Sequence, residues 1–272
     1  PTARLPTLTI EQYDRREDEA RVRASYPALR SFAPVSFGQV GFPTRITRES
    51  ELRRYADIMY EIANRPHWLD VEQWSPAEIA LMRELRSEIE AMTAAHFGRP
   101  VQAFMCLFPP MPIVRLIDAL AKAAGGKPLR VLEIGPGSGF LAAYLLLRGH
   151  RYIGIDNTQA LYLWQHRLLR WLTDGEVEEF ALSDTPPKAN PTARAALLPW
   201  WHFSELFRAP PFEVDVVVCE AAIGEMDPFG ARYVIRLAKS FVERSPTGVF
   251  LYQNLGEQRH NTTATVEHLF AN

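Results

Sequence analysis

The stretch Val131-Leu-Glu-Ile-Gly-Pro-Gly-Ser-Gly-Phe140 constrains this chain more than any other. A short apolar run, Arg130 to Ile134, leads straight into Gly135, Gly137 and Gly139, and a helical pattern from Phe140 to Leu147 follows at once. Glycines at such a turn adopt backbone angles closed to other residues and let the chain pass close to a ligand. The helix opening behind them aims its first amide groups at the same place. Strand, glycine turn and helix in this order begin a parallel-sheet unit, because a second parallel strand can be reached only through a crossover.

The rest of the C-terminal half repeats the alternation. Tyr152 to Ile155 reads as a second strand, and Asp156-Asn157-Thr158 opens a helix to about Leu172, stopped by Asp174-Gly175. A weaker third strand is expected around Glu179 to Leu182, a fourth from Val214 to Cys219, a helix over Pro228 to Glu243, and a fifth strand from Val249 to Gln253. The expectation is an α/β fold over 126–272: a Rossmann-like, mostly parallel sheet with helices on both faces. The Pro-rich stretch 184–211 is too long for an ordinary connection and reads as a lid-like insert.

Residues 1–125 read as a mainly helical N-terminal cap or substrate region. Residues 1 to about 48 are expected to be irregular, because Pro6, Pro27, Pro34 and Pro43 interrupt any long element. Leu52, Tyr55, Ala56, Met59, Tyr60 and Ala63 recur at helical spacing up to Arg65-Pro66. Ser75, Pro76 and Glu78 form a capping box at the start of a second helix, whose apolar face is Ile79, Met82, Leu85, Ile89 and Met92. A third helix spans about Pro112 to Ala124 and ends at Gly125-Gly126. Phe104 to Leu107 suits a short extended piece.

Bulk properties exclude whole classes of function. Over 272 residues the formal charge is only -2, so neither a nucleic acid nor an anionic membrane is expected as a partner. Arg21, Arg23 and Arg30 read as scattered surface arginines. No apolar run reaches the ~18–20 residues of a membrane span, and Pro1 to Pro6 lacks the apolar core of a signal segment. The two cysteines, Cys106 and Cys219, suit neither a disulfide scaffold nor a zinc site and fit a reducing, cytoplasmic setting.

Glycine turns serve several cofactors, and two details separate them. The nicotinamide fingerprint wants Gly or Ala where this chain has Phe140. Here the third glycine is instead Gly139, and Glu133 stands two residues before the first. Asp156 then ends the second strand 17 residues after Gly139, where a carboxylate can accept from both ribose hydroxyls of an adenosyl group. The alternative role for Asp156 is to cap the following helix.

This combination, over about 128–255, resembles the class I S-adenosylmethionine-dependent methyltransferases. The resemblance implies a cofactor loop of Glu133, Gly135, Pro136, Gly137, Ser138 and Gly139, with Asp156 and Asn157 at the ribose. It implies Ser183 or Asp184 near the adenine, and Cys219 and Glu220 beside the methionine moiety and the substrate. A narrower likeness, to a family of sugar O-methyltransferases, lies in Val214 to Met226, in Tyr233, in Tyr252-Gln253-Asn254, and in Leu161, Leu163, Gln165 and Leu168. Cys219-Glu220 and the Pro-rich insert depart from it.

Methyl transfer to a hydroxyl needs a positioned nucleophile and a base for its proton. Glu225, Glu220 and His202 are the candidates, in that order, with first-turn helix stabilisation as the alternative for Glu225 and loop packing for His202. His150 is expected in a surface turn and His260 in the loop after the fifth strand. Asp184, Glu220 and Asp227 are conceivable metal ligands, but nothing in their spacing requires a metal. The resemblance implies seven strands, of which five are found, with a helix expected at Thr262 to Phe270. An edge left bare would be covered by the N-terminal region or by a second subunit, as in a homodimer. The expected activity is methylation of a small-molecule acceptor. A fold that binds cofactor without turnover and a nicotinamide-dependent oxidoreductase are the competing readings.

Overall fold

The computed structural model describes residues 7–32, 43–57, 73–206, 212–220, 222–246 and 248–253, with backbone only at 204, 225 and 253. Its strands are β1 (Arg130–Ile134), β2 (Arg151–Asp156), β3 (Val177–Glu179), β4 (Ala195–Pro199), β5 (Val216–Glu220) and β6 (Val249–Gln253). They lie in the order β3-β4-β2-β1-β5-β6, and every pair is parallel. The helices are α1 (Ile10–Arg23), α2 (Tyr26–Phe32), α3 (Pro76–Phe97), α4 (Met111–Ala123), α5 (Phe140–Leu147), α6 (Gln159–Leu172), α7 (Trp200–Leu206), α8 (Ala222–Glu225) and α9 (Pro228–Val242). This is a doubly wound, Rossmann-like α/β fold.

Both sheet faces are covered, which is why the central strands read as unbroken apolar runs rather than alternating ones. Val131, Tyr152, Leu197, Val216 and Val218 join a core built with residues of α3, α4, α5 and α6. Leu132, Ile134, Ile153, Ile155, Leu198, Val217 and Cys219 join a second core with residues of α2, α7 and α9. From β1 the chain winds outward through β2 and then returns to place β5 on the other side of β1. The strand order therefore reverses between β1 and β5, where open sheets of this kind leave a crevice beyond their C-terminal ends.

Several expectations are corrected. Residues 10–23 and 26–32 are helical, not irregular. Thr9 and Gln12 form a capping box, and Ile10, Tyr13, Glu17 and Ala20 make one buried stripe, in which a charged residue breaks the apolar pattern. Pro27 sits in the first turn of α2, where a proline is tolerated. Glu49–Ala56 is a 3-10 helix, with Leu52, Tyr55 and Ala56 buried as a helical spacing requires, and Met59, Tyr60 and Ala63 lie outside the described residues. Met105–Leu107 is a 3-10 turn rather than an extended piece. The strand expected near residues 179–182 is β3, shifted earlier.

The largest difference concerns 184–211. Within that stretch runs β4, buried on both faces and paired with β2 from Tyr152↔Ala195 to Asp156↔Pro199. It is the sixth strand, and α7 follows it directly. The expected helix at Thr262 to Phe270, and His260, lie outside the described residues.

The N-terminal elements are fastened by buried polar contacts. Glu17, fully buried, pairs with Arg21 and Arg45 and accepts from the Trp200 indole at 2.9 Å. Gln159, at the start of α6, accepts from the Ile46 amide at 2.8 Å, and the Ala160 amide donates to Thr44.

Candidate functional site

The glycine turn sits at the β1–β5 crevice. Gly135, Gly137 and Gly139 have φ of +75°, +58° and +71°, in the left-handed region that side chains disfavour. The Gly135 amide still donates to Ile155 at 2.9 Å, continuing the sheet ladder past β1. A Cβ on Gly135 would collide with the Cβ of Ala222, so this glycine lets the loops after β1 and β5 close against each other. Phe140, where a nicotinamide site would carry Gly or Ala, is buried at the start of α5.

Asp156 ends β2 beside this turn and is 4% exposed. Its Oδ1 accepts from the Thr158 amide at 2.9 Å and the Thr158 hydroxyl at 3.0 Å, and its Oδ2 accepts from Gln165 Nε2 at 2.7 Å. Burial pushes its carboxyl above the ordinary value, and these donors pull the other way. The N-cap of α6 is Thr158, so Asp156 folds the connection into that helix rather than capping it.

Gln165 is the residue that sequence reasoning gave no role. From α6, its Nε2 also donates to the Gly137 carbonyl at 2.7 Å, so one amide ties the glycine turn to Asp156. Both neighbours are pure acceptors, which fixes the side chain with nitrogen towards them. Its Oε1 then faces away, buried and with no protein donor. The signal available in the sequence was an amide directly after the apolar stretch Leu161 to Trp164, on the helix that follows Asp156.

Glu133 lies on the same sheet face as Asp156 and Glu220. Tyr152, two residues before Gly154, stretches its ring along β2 and donates its hydroxyl to Glu133 at 2.7 Å. A Cβ at Gly154 would stand 2.8 Å from that hydroxyl oxygen, so the glycine clears the path. Burial first, and then the nearby Glu220 and Asp156 carboxylates, push the Glu133 carboxyl up to about 8.

The structure thus groups Glu133, the glycine turn, Asp156, Gln165 and Glu220. Pro136 and Ser138 are buried within the turn, with the Ser138 carbonyl accepting from Trp164 at 3.0 Å. Asn157 donates to the Phe32 carbonyl at 3.1 Å, joining α2 to the same rim. Other predicted residues fall elsewhere. Cys219 points to the opposite face, inside the second core. Ser183 and Asp184 follow the edge strand β3, separated from β2 by β4. Asp184 is exposed and ion-paired with Arg16 at 2.6 Å, and Ser183 bonds within its own turn to Thr185. His202 is buried, and its Nε2 lies 3.1 Å from the carbonyls of Phe180 and Ser183, where only a donor is useful. It clamps the loop after β3. Glu225 belongs to α8, and its side chain lies outside the described residues. His150 is buried rather than in a surface turn. Its Nδ1 accepts from the Leu129 amide at 3.1 Å, and its Nε2 faces Asp118.

Among the described residues, no three His, Cys, Asp or Glu side chains gather as a metal site would require, and no helix is long and apolar enough to cross a membrane.

No protein-family model matches the chain, and no curated protein matches it. Solved structures do. The glycopeptide N-methyltransferase MtfA aligns with 19% identity and a TM-score of 0.34 over 51% of each chain. Monomeric WbdD aligns with 17% identity and a TM-score of 0.38, over 64% of this chain and 37% of that one. The TDP-rhamnose 3'-O-methyltransferase CalS11 aligns with 15% identity and a TM-score of 0.35, over 72% and 86%. The match therefore spans about half the length of MtfA and little more than a third of WbdD. The likeness is one of fold. The strand order and the glycine turn define the fold.

Proposed function

We propose that this protein transfers a methyl group from S-adenosylmethionine to a hydroxyl of a small-molecule acceptor such as a sugar. The observation that carries the reading is the glycine turn and Asp156 standing together at the C-terminal ends of β1 and β2, bound to each other by Gln165. A ribose diol brings two hydroxyl hydrogens. Asp156 holds the chain's own donors on both oxygens and keeps lone pairs to spare, and Gln165 Oε1 is a buried acceptor awaiting a donor. The residues present therefore fit an adenosyl ribose.

When bound, S-adenosylmethionine supplies a methyl group already activated on a sulfonium. What remains for the chain is to hold and orient. The glycine turn admits close backbone approach, Asp156 and Gln165 take the ribose hydroxyls, and Glu133 and Glu220 share one sheet face at the ends of β1 and β5. Glu225, in α8, and Glu220, at the end of β5, are the groups to remove the acceptor hydroxyl's proton. His202 is withdrawn from that role, since its Nε2 hydrogen is committed to carbonyls.

Isothermal titration with S-adenosylmethionine, S-adenosylhomocysteine and NAD, repeated on Asp156→Ala, tests this. Both adenosyl ligands should bind and NAD should not, with at least tenfold weakening in the variant. Failure of both adenosyl ligands to bind the folded protein would sink the reading.

A further inference from the structure

A cavity of about 400 Å³ lies between α2 and α9, away from the glycine turn. On α9 its lining is Phe229, Arg232, Tyr233 and Arg236, spaced i, i+3, i+4 and i+7, which puts all four on one stripe. From α2 it receives Ser31 and Phe32, and the Arg30 guanidinium lies 5.9 Å from the Phe229 ring centroid.

The charge here is unbalanced. Some arginines of the N-terminal elements are matched with acids, Arg16 with Asp184 and Glu19, Arg21 with Glu17, and Arg45 with Asp14 and Glu17, whereas exposed ones such as Arg23 and Arg30 make no ion pair among the described residues. Among the described residues Arg232 and Arg236 make no ion pair, and no lining residue is acidic. They stand one turn apart, where like charges repel, in a chain whose net charge is -2. Beside them Phe229 leaves a ring 65% exposed. Two forked guanidiniums match a dianionic phosphate oxygen set, and the exposed part of the Phe229 ring, with Arg30 over one side, can take an apolar or planar group next to it.

The helices that form the groove are tied to the elements of the site already described. α9 begins directly after β5 and α8, and Asp227 caps it with hydrogen bonds to the Phe229 and Gly230 amides. At the inner end the Phe32 carbonyl accepts from Asn157, the neighbour of Asp156. The seven steps from Phe229 to Arg236 span roughly 10 Å of helix. We propose that this groove binds the phosphate of a small organic phosphate, and that this molecule is the methyl acceptor. The second clause rests on the methyltransferase reading, and the first does not. The cavity has the volume of a small-molecule site rather than of a macromolecular surface.

The test titrates the full chain with phenyl phosphate, inorganic phosphate, benzoate and an oligoglutamate peptide, and titrates S-adenosylhomocysteine into the same samples. Wild type is compared with R232Q/R236Q and with F229A, each checked by thermal melting. Phenyl phosphate should bind more tightly than inorganic phosphate or benzoate, at least tenfold more weakly in R232Q/R236Q, and more weakly in F229A. S-adenosylhomocysteine affinity should be the same in all three proteins. No phenyl phosphate binding, equal binding by the double variant, or a preference for benzoate or oligoglutamate would overturn the groove assignment. Adenosyl binding without phosphate binding refutes the groove and leaves the proposed activity standing. Phosphate binding without adenosyl binding upholds the groove and refutes its link to methyl transfer.

Discussion

Gln165 commits both amide hydrogens inside the protein, one to Gly137 and one to Asp156, so replacing it strips two buried acceptors of their donor. Gln165→Leu should therefore cost about 1–3 kcal/mol of stability, the penalty for buried polar groups left unsatisfied. Urea denaturation measures that cost. Adenosyl affinity should fall in the same variant, by isothermal titration, because the turn and the carboxylate lose their common anchor. Wild-type affinity there would remove Gln165 from the site. Glu133 gives a prediction in pH. Its carboxyl is pushed up to about 8 in the fold, from an ordinary value of 4.5. A folded value above the unfolded one means the native state holds the extra proton, so this stabilising contribution is complete below about 4.5 and is lost as pH rises towards 8. Glu133→Gln keeps an acceptor for the Tyr152 hydroxyl and cannot ionise. Relative to wild type it should gain stability steadily between pH 5 and 8. Parallel stability curves for the two proteins across that range would show that Glu133 does not titrate there.

At the scale of elements, the strands rich in Val and Ile were legible and the one built of Ala and Leu was not. β1 and β5 announce themselves because β-branched residues suit a strand buried on both faces. β4 is Ala-Ala-Leu-Leu-Pro, flanked by Pro186, Pro187 and Pro191, and a short apolar run of helix-favouring residues carries no period that would identify it. Its strand conformation comes from tertiary pairing with β2 and β3, which no local pattern records. The same gap hid α1, where Glu17 stands in the buried stripe because Arg21, one turn on, and Arg45 and Trp200, from other elements, satisfy it. The site divides likewise. Glycines 135, 137 and 139 and Asp156 follow from strand–turn–helix order, whereas Gln165 and the Tyr152–Glu133 bond depend on side chains meeting across elements. Reading 184–211 as a lid and finding a strand in it lead to opposite outcomes in hydrogen exchange. Amides of 196–198, in a strand paired with β2 along its length and with β3 as far as Leu197, should be among the slowest of the chain, with those of 185 and 188–190 exchanging far faster. Uniformly fast exchange across 185–199 would mean that the strand is not formed in solution.

The whole molecule raises the question of whether residues 1–125 form a unit of their own. One core cluster holds Leu8, Tyr13, Leu52, Leu85, Ile89 and Ile117 together with Val131, Tyr144, Tyr152, Trp164 and Val218. Apolar surface buried across that seam has no substitute partner if either side unfolds, at roughly 25 cal/mol for each Å² exposed. Polar contacts cross it as well: Arg167 of α6 reaches the Leu8 carbonyl at 2.7 Å and Glu49, and the Tyr144 hydroxyl reaches the Leu107 carbonyl at 2.9 Å. Opening the seam would strand these groups against apolar surface, which is dearer than the loss of contact alone. The sheet with its α5 and α6 layer and the helices before it should therefore unfold together. Trp74 reports on the N-terminal elements, and Trp164 and Trp200 on the sheet and its helices. Urea unfolding followed by far-ultraviolet dichroism and by fluorescence of single-tryptophan variants should give coincident transitions. The fragment 126–272 expressed alone should lack a cooperative transition, because α5 and α6, which cover the face carrying Val131 and Tyr152, would lose the helices α3 and α4 packed against them. Two separated transitions, with Trp74 melting apart from Trp164, would make the N-terminal elements a domain that merely rests on the sheet.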